Sequence, residues 1–428
     1  ADNYAVHSLP NLADGVELPV MHAGLLELAG DGDPHMFFWR VQSSKPTNKT
    51  VIWLNGGPGC SSMDGMFLEI GPFRAVDGNF NGGDSNVDPR LVPNPGAWNE
   101  YANILFIDSP VGTGFSYADR GRYDHEIYEV ADDIVAFLDA YFELFPTDRD
   151  NDLYVAGESF AGTYIPYIAR AMLDHDLQNL KGLLMGNPYT DPPRHFFAYA
   201  EMAFESGLIP HDSPQAKTVS DAVAHCTQEL TKYGVHINVP ACESILDTVL
   251  SLSKPSKNTC INMYDIRLQD SYPACGINWP PALSATQNYL RLAQLVKAIN
   301  LPSEKQFVWK ECDGSVSRYL RAYNSTPAVD LLPDLLQSVP ILFFNGDKDL
   351  ICNHYGNERL IANLEWNGDV GFRESAKKEM WSFNGSDVGE YTFDRGLTYL
   401  RVYNASHMVP VDYPEQMKYM LADFIGAE

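Results

Sequence analysis

The chain has 428 residues, of which 45% are hydrophobic, and a formal net charge of −26 at pH 7. This length is enough to bury a large core, in one elaborated domain or in two. The negative charge argues against nucleic acid and anionic membrane surfaces as partners. No apolar run approaches the ~20 residues that a helix needs to cross a bilayer.

Cysteines and glycosylation sequons favour the secretory pathway. Four of the seven cysteines fall between residues 226 and 275, and none has the spacing of a zinc site. Seven cysteines on this route are expected to form three disulfides and leave one free thiol. The sequence opens without a methionine or a basic leader, so we expect that a signal peptide has been removed. The N-x-S/T sequons are at Asn48, Asn324, Asn384 and Asn404.

Predicted strands and helices alternate along the first part of the chain. Short apolar runs are typical of buried strands, and apolar residues at helical spacing predict amphipathic helices. In chain order we predict a hairpin of residues 21–28 and 36–41 around the turn residues 30–34, strands at 51–54 and 104–107, a helix at 127–145, a strand at 153–156, a helix to about 173 and a strand at 183–186.

The pattern changes after residue 190. Residues 191–333 are irregular, rich in cysteine and proline, and carry only weak helical signals. Regular signals then resume with a strand at 339–344, a helix at 355–363, a strand at 397–403 and a terminal helix after Pro414. Alternating strands and helices predict an α/β fold, with a mostly parallel sheet covered on both faces. We therefore expect a core made of residues 1–190 and 334–428, with 191–333 inserted as a lid.

A strand followed by G-E-S-F-A-G at 157–162 predicts a nucleophile elbow that presents Ser159. Ala161 stands where the motif usually has glycine, and Gly162 follows. A serine hydroxyl needs a base, and His407 lies directly after a predicted strand. Asp347 and Asp349 both follow the strand at 339–344, and spacing alone leaves both open as the carboxylate that orients the imidazole.

Four sequence blocks resemble the signatures of the serine carboxypeptidases, relatives of carboxypeptidase Y. They are W-L-N-G-G-P-G-C-S-S at 53–62, G-E-S-F-A-G at 157–162, F-N-G-D-K-D-L-I-C at 344–352 and S-H-M-V-P at 406–410. The resemblance implies an α/β-hydrolase fold with an inserted lid that disulfides staple, and no metal or cofactor. It also implies peptide and pro-protein C-termini as substrates.

The same resemblance implies roles for particular residues. The triad would be Ser159, Asp349 and His407, and the N–H groups of Gly57 and Phe160 would form the oxyanion hole. The substrate's terminal carboxylate would bind to Asn55, Gly56, Glu69 and Glu158. Two carboxylates in contact cannot both ionise cheaply, so we expect Glu69 and Glu158 to share a proton and the enzyme to have an acidic optimum.

Three further segments resemble the fungal pheromone-processing branch, of the carboxypeptidase D type. They are M-D-G at 63–65, N-M-Y-D at 262–265 and D-S-Y-P-A-C-G-I-N-W-P at 270–280. This branch removes C-terminal Lys and Arg, and a C-terminal tail anchors it in the late Golgi. The resemblance implies a leaving-residue pocket of Asp64, Tyr264 and Met408, and an Asp64 carboxylate could pair with the departing cation. We expect the Golgi lumen, or a vacuolar or secreted location, with the anchor removed or naturally lacking.

Cysteine pairing also follows from the resemblance. The implied disulfides are Cys60–Cys312, Cys226–Cys242 and Cys260–Cys275, which leaves Cys352 as a free thiol close to the triad. At Asn404, three residues before His407, a glycan would crowd the cleft.

Three alternatives to this interpretation are considered, and the sequence leaves the first of them undecided. A serine carboxypeptidase could prefer hydrophobic C-terminal residues, and the sequence does not decide between this preference and a basic one. Some relatives are acyltransferases or lyases, but Asn55, Glu69 and Glu158 argue against them, because their substrates have no terminal carboxylate. A protective binding protein on the same fold conflicts with a complete triad.

Overall fold

A ten-stranded sheet forms the centre of the molecule. The computed structural model describes residues 1–29, 33–77, 88–118, 122–177 and 179–427. Its strands are β1 (Met21–Glu27), β2 (His35–Val41), β3 (Lys49–Leu54), β4 (Phe73–Val76), β5 (Arg90–Pro93), β6 (Asn103–Ile107), β7 (Asp152–Glu158), β8 (Leu180–Gly186), β9 (Thr259–Asn262), β10 (Asp265–Ser271), β11 (Ile341–Gly346), β12 (Glu365–Trp366), β13 (Asp369–Val370), β14 (Lys378–Phe383), β15 (Ser386–Asp394) and β16 (Leu397–Val402).

Helices follow most of the central strands. They are α1 (Ile127–Leu144), α2 (Ala161–Asp174), α3 (Pro192–Glu205), α4 (Pro214–Tyr233), α5 (Pro240–Leu252), α6 (Leu283–Leu290), α7 (Ala293–Ala298), α8 (Gly314–Tyr319), α9 (Leu332–Leu335), α10 (His354–Asn363), α11 (Val409–Asp412) and α12 (Pro414–Ile425). A π-helical turn at Gly65–Glu69 and 3₁₀ turns at Asp2–Tyr4, Trp98–Glu100, Asp148–Asp150 and Ala328–Leu331 complete the description.

The strand order across the sheet is β1-β2-β6-β3-β7-β8-β11-β16-β15-β14. The six central strands, β6 to β16 in this order, pair in parallel. Antiparallel pairs extend the sheet at both sides. This is the mostly parallel α/β architecture that the sequence pattern predicts, and it agrees with the α/β-hydrolase fold that the resemblance implies. Parallel strands bring their carboxyl ends to one edge, where functional groups of such sheets gather.

Both faces of the sheet are buried, because neighbouring residues of a strand point to opposite sides. In β3, Ile52 and Leu54 face one hydrophobic layer, which also contains the inner faces of α1 and α2. Val51 and Trp53 face the other layer, which contains the inner face of α12. Burial on both sides explains why the central strands appear in the sequence as continuous apolar runs.

The segment 191–333 is more regular than the sequence indicates. Helix α4 spans 20 residues and packs with α3 and α5 around a separate buried cluster. Its outer face is polar, and only Ala216, Val219 and Cys226 are buried, so the helical signal in its sequence is weak. The cluster includes the disulfide Cys226–Cys242.

The sequence analysis missed the hairpin of β14 and β15. These strands form one side of the sheet, and most of β14 is exposed. A strand that buries little on either face has no apolar run to reveal it. The β1–β2 hairpin was predicted, and turn residues 30–32 lie outside the described residues.

Three disulfides join the cysteine pairs that the resemblance implies, Cys60–Cys312, Cys226–Cys242 and Cys260–Cys275. Cys352 is a buried free thiol. Disulfides form in oxidising compartments, which places the folding of this chain on the secretory route. Among the described residues, no helix combines the length and hydropathy that a membrane-spanning segment requires.

We predict one reactive thiol per chain when the protein is unfolded without reduction, and seven after reduction, because six of the seven cysteines are paired. Titration with a chromogenic disulfide reagent in denaturant measures both values. Cys352→Ser is the control and should reduce the first value to zero. Three thiols without reduction would mean that one of the disulfides is absent.

Candidate active site

Ser159 lies on a sharp turn between β7, which ends at Glu158, and α2, which begins at Ala161. Its φ of 62° is in the left-handed region, which a serine adopts at a cost in backbone strain. The turn also requires a small residue at Gly157, since a Cβ there would lie 2.2 Å from the Leu54 carbonyl oxygen. This geometry is that of a nucleophile elbow.

A glycine loop after β3 passes directly over this turn. A Cβ on Gly56 would lie 2.5 Å from the backbone nitrogen of Phe160, the residue after the serine. The next residue, Gly57, has a φ of +112°, which favours glycine. The loop therefore lies beside the Phe160 N–H, where a second backbone donor would complete an oxyanion hole.

His407 and Asp349 form a buried hydrogen-bonded pair. The Nδ1 of His407 lies 2.7 Å from Oδ2 of Asp349, and both residues are almost fully buried. Asp349 also accepts hydrogen bonds from the Asn187 side chain at 2.7 Å and from the backbone N–H groups of Ile351 and Cys352. A carboxylate held in this way fixes Nδ1 as the donor and leaves Nε2 free to act as a base.

The structure separates the two aspartates that sequence spacing left open. Asp347 accepts a hydrogen bond from the backbone N–H of Asn404 and pairs with Lys348. Asp349 is the one that contacts His407. Asp347 instead holds the loop that leads to the histidine.

The Ser159 hydroxyl is close to the free thiol. Its Oγ lies 3.9 Å from Sγ of Cys352, which is also near the ring of His407. Burial, with Asp349 beside it, raises the pKa of the Cys352 thiol, so it is a poor nucleophile. Among the described residues, this thiol is the hydrogen-bond partner of the hydroxyl. Catalytic hydrogen bonds to an unliganded serine are often long and shorten when substrate binds.

Glu69 and Glu158 lie side by side at the same edge of the sheet. The amide nitrogen of Asn55 donates to Glu69 at 3.3 Å and to Glu158 at 3.1 Å. Asn55 itself is fixed by Trp53 and the Gly65 N–H, which both donate to its oxygen. The three side chains thus form one rigid polar group beside the serine.

Among the described residues, no Lys or Arg nitrogen lies within ion-pair distance of either glutamate, and the pKa values of both are raised. Burial raises the pKa of Glu69 to about 7, although hydrogen bonds from Glu158 and Asn55 act against this. Burial and the neighbouring Glu69 raise the pKa of Glu158 well above its usual range. Glu69 Oε2 is buried without a hydrogen-bond partner. At acidic pH the pair is protonated and can donate a hydrogen bond to a carboxylate ligand.

Of the three predicted residues of the leaving-residue pocket, Asp64 and Met408 are buried and Tyr264 is half-buried. Met408 follows His407, and the ring of Tyr264 lies 5.1 Å from the imidazole and stacks on Trp279. Asp64 is 2% exposed, and its Oδ1 has no hydrogen-bond partner. Burial and the nearby Glu311 raise the pKa of Asp64 well above its usual range.

Sequence reasoning missed several residues that position this site. Asn187 follows β8 and holds Asp349, and its position directly after a buried strand was the available signal. Asp412 accepts hydrogen bonds from the N–H and hydroxyl of Ser406, which fixes the residue before the histidine. Arg74 donates to the Pro410 carbonyl at 3.0 Å and ties the same loop to β4.

All four sequon asparagines are exposed, at Asn48, Asn324, Asn384 and Asn404. The Asn324 side chain donates to Glu126 at 3.0 Å. The Asn404 carbonyl accepts from Arg267. Glycosylation at these positions stays a prediction.

Known proteins resemble this chain over nearly its whole length. The family model for serine carboxypeptidases of peptidase family S10 matches residues 10–427. The chain belongs to the serine carboxypeptidase family. It is an enzyme that hydrolyses peptide bonds and acts through a serine. Its α/β-hydrolase fold is also that of its relatives, as a solved structure shows.

Among curated relatives, the pheromone-processing carboxypeptidase KEX1 of Chaetomium globosum is 45% identical and aligns with 100% of this chain and 67% of its own. The protein of the same name from Paracoccidioides brasiliensis is 46% identical, with 68% of its length covered. The crystal structure of a prohormone-processing carboxypeptidase from Saccharomyces cerevisiae matches with a TM-score of 0.91 and 34% identity. The match covers 99% of this chain and 96% of the Saccharomyces cerevisiae chain.

We predict that this carboxypeptidase becomes less stable as the pH rises from 5 to 7.5. Folded Glu69 keeps its proton up to about pH 7, whereas an unfolded glutamate loses it near 4.5, so the folded state binds more protons within this interval. The shift corresponds to roughly 3 kcal/mol. Urea unfolding at pH 5 and pH 7.5 measures the loss, and Glu69→Gln should reduce it.

Glu374→Gln, at an exposed glutamate, is the matched control and should leave the loss unchanged. An equal loss of stability in wild type and Glu69→Gln would show that Glu69 ionises normally in the folded protein.

Proposed function

We propose that this enzyme removes C-terminal Lys and Arg residues from peptides and pro-proteins, in the lumen of the late secretory pathway. The observation that carries the exopeptidase part is the group of Asn55, Glu69 and Glu158 beside Ser159, in which the Asn55 amide donates to both glutamates. When its carboxyl groups are protonated, such a group can donate several hydrogen bonds to a terminal carboxylate, which accepts more of them than an internal peptide carbonyl does. The names of the fungal relatives, with Asp64 in the pocket region, support the processing part.

The reaction proposed for this site begins with the terminal carboxylate bound to Asn55, the Gly56 N–H and the two glutamates. The scissile carbonyl then lies above Ser159, with its oxygen toward the Gly57 and Phe160 N–H groups. Binding by the terminus fixes which bond is attacked, namely the last one of the chain.

Ser159 Oγ attacks the carbonyl carbon while Nε2 of His407 takes its proton. Asp349 stabilises the resulting imidazolium, and the oxyanion hole stabilises the negative oxygen. His407 gives the proton to the leaving amino group, so the C–N bond breaks and an acyl-enzyme remains. A water molecule, deprotonated by His407, then releases the shortened peptide.

Tyr264, Met408 and Trp279 favour a second candidate specificity, for hydrophobic C-terminal residues. Aromatic and thioether groups next to His407 would give an apolar leaving residue a close-packed surface. The buried carboxylate of Asp64 favours the basic preference instead.

We predict that Ser159→Ala lowers kcat on a C-terminal Arg peptide by about 10⁵-fold or more, because no other group supplies the nucleophile. The variant should keep the melting temperature of the wild type, since the hydroxyl's hydrogen-bond contact among the described residues is the long one to Cys352, at 3.9 Å. Labelling with an organophosphate, detected by mass, should occur at Ser159 in the wild type and not in the variant. Retained turnover would overturn the role of Ser159.

We predict that kcat/KM for peptides ending in Arg and Lys exceeds that for Leu and Phe, and that it falls as the pH rises through about 7. The fall is expected because Glu69 and Glu158 share a proton at acidic pH. Once this proton is lost, the negatively charged pair repels the terminal carboxylate. C-terminally amidated peptides are the control, with slower release and a weaker dependence on pH. One series of such peptides from pH 4 to 8 measures both.

Faster release of Leu and Phe at every pH would replace the basic specificity with the hydrophobic one. Equal rates on acids and amides would overturn the proposed carboxylate site.

A further inference from the structure

Residues 263–267, the bridging segment, contact both of the loops that carry the predicted catalytic pair. The carbonyl of Tyr264 accepts a hydrogen bond from the N–H of His407 at 2.9 Å. The N–H of Ile266 donates to the carbonyl of Lys348 in the other loop, also at 2.9 Å. One short segment therefore fixes the backbone of the histidine and the backbone next to the aspartate.

The loop that contains Asp349 is held on its other side as well. The carbonyl of Met263 accepts hydrogen bonds from the N–H groups of Leu350 and Ile351, at 3.0 and 3.1 Å. Backbone hydrogen bonds to a common segment set the distance between two loops, because neither loop can shift without breaking them. The position of the bridging segment thus determines how Asp349 faces the imidazole.

Arg267 fastens the end of the bridging segment to the histidine loop. Its guanidinium forms a bidentate pair with the buried carboxylate of Asp265, with hydrogen bonds of 2.8 and 2.7 Å. Its remaining terminal nitrogen, Nη1, donates to the carbonyl of Asn404 at 2.7 Å. Asn404 lies three residues before His407. A single side chain thus joins two segments that are far apart in the sequence.

The histidine loop depends on contacts of this kind. Strand β16 ends at Val402 and α11 begins at Val409, so the residues between them are outside any regular element. Asp412 accepts hydrogen bonds from the N–H and the hydroxyl of Ser406, at 2.6 and 2.5 Å. Its Oδ2 lies 3.9 Å from Nη2 of Arg267. The guanidinium therefore faces acceptors that hold the loop at two points before the histidine.

We propose that Arg267 is a positioning residue for catalysis, which holds the imidazole of His407 against Asp349 through the Asn404 carbonyl and the bridging segment. This inference rests on the catalytic roles proposed above for His407 and Asp349. The planar guanidinium can serve a carboxylate bidentately and a carbonyl at the same time, whereas an ammonium group is a single compact charge. A lysine at this position would keep only part of the function.

We predict that Arg267→Ala lowers kcat on a peptide substrate by about tenfold or more, because a displacement of about 1 Å of a catalytic group can cost about 100-fold. KM should change by less than about twofold, since Asn55, Glu69 and Glu158 lie on other segments. Steady-state kinetics below the melting temperature of the variant measure both constants. Arg267→Lys should show a smaller fall in kcat and provides the same comparison if Arg267→Ala does not fold.

A second reaction separates the histidine from substrate binding. The rate constant for labelling of Ser159 by a small organophosphate requires His407 as the base, but this reagent has neither a terminal carboxylate nor a leaving residue. In Arg267→Ala this rate constant should fall by about the same factor as kcat. Guanidinium ion, at a concentration that leaves the wild type unaffected, should restore both rates severalfold. The side chain of Arg267 is 40% exposed, so the ion can reach the gap from solvent.

Arg170→Ala is the matched control. Arg170 also forms a bidentate pair with an aspartate, Asp174, at 3.1 and 2.6 Å, and its side chain is 36% exposed. The pair lies within α2, at the end opposite Ser159. Both rates in this variant should equal those of the wild type, with and without guanidinium ion.

The outcomes separate this inference from the proposed function. Activity that survives in His407→Ala overturns the catalytic roles and, with them, the role of Arg267. Activity that requires His407, with an unchanged kcat in Arg267→Ala, overturns the role of Arg267 alone. A fall in kcat with unchanged organophosphate labelling also overturns it, because the defect would then lie in substrate binding. A fall that guanidinium ion does not reverse assigns Arg267 to stability and likewise overturns its role in positioning.

Discussion

Burial of carboxylates without cations is the physical constraint on which the active site depends. Glu69, Glu158 and Asp64 are almost completely buried within one region, and none has a Lys or Arg within ion-pair distance in the described part of the chain. A buried charge without a partner costs several kcal/mol, so such groups hold protons instead. The folded protein therefore favours the protonated forms of these carboxyl groups beside its serine. In the proposed mode of binding, the protons on Glu69 and Glu158 serve to hold the terminal carboxylate of the substrate.

Rigid surroundings keep these groups from relaxing into water. Asn55 directly follows β3 and Glu158 ends β7. These are neighbouring parallel strands, so backbone hydrogen bonds fix the distance between the two residues. Glu69 comes from the π-helical turn, whose first residue, Gly65, donates to Asn55. The disulfide Cys60–Cys312 holds the segment with Glu311 against the same loop. Because the backbone is fixed, the carboxylates respond to their crowding by binding protons rather than by moving apart.

Local patterns in the sequence predicted the parts of the structure that depend on local interactions. Apolar runs such as 51–54 and the periodicity of 127–145 predict the central sheet and α1, because buried positions are occupied by apolar residues. The elbow around Ser159 is also predicted from a few consecutive residues. The exposed hairpin of β14 and β15 has no apolar pattern and was missed. Asp349 was distinguishable from Asp347 only by resemblance until the structure showed which one contacts His407.

The residues whose roles the sequence analysis missed act through contacts between distant segments of the chain. Arg74 is one arginine of β4, and nothing around it in the sequence indicates a role. It fixes the loop after His407 by donating to the Pro410 carbonyl, which is far away in the sequence. Asn187 is similar, since its role follows from the position of β8 next to β11. A residue whose function is to touch another segment has no motif of its own.

In the proposed mode of binding, the acidic groups of the site depend on pH in opposite directions. Glu69 and Glu158 would bind an anionic terminus while they are protonated, so that interaction would weaken as the pH rises through about 7, the pKa of Glu69. The buried Asp64 would attract a cation only after losing its proton, so that interaction would strengthen as the pH rises. A substrate with both a terminal carboxylate and a basic side chain would then bind best in a weakly acidic window. A neutral C-terminal residue would gain only the first of these interactions. Discrimination against it should therefore be weakest in strongly acidic surroundings and should increase toward neutral pH.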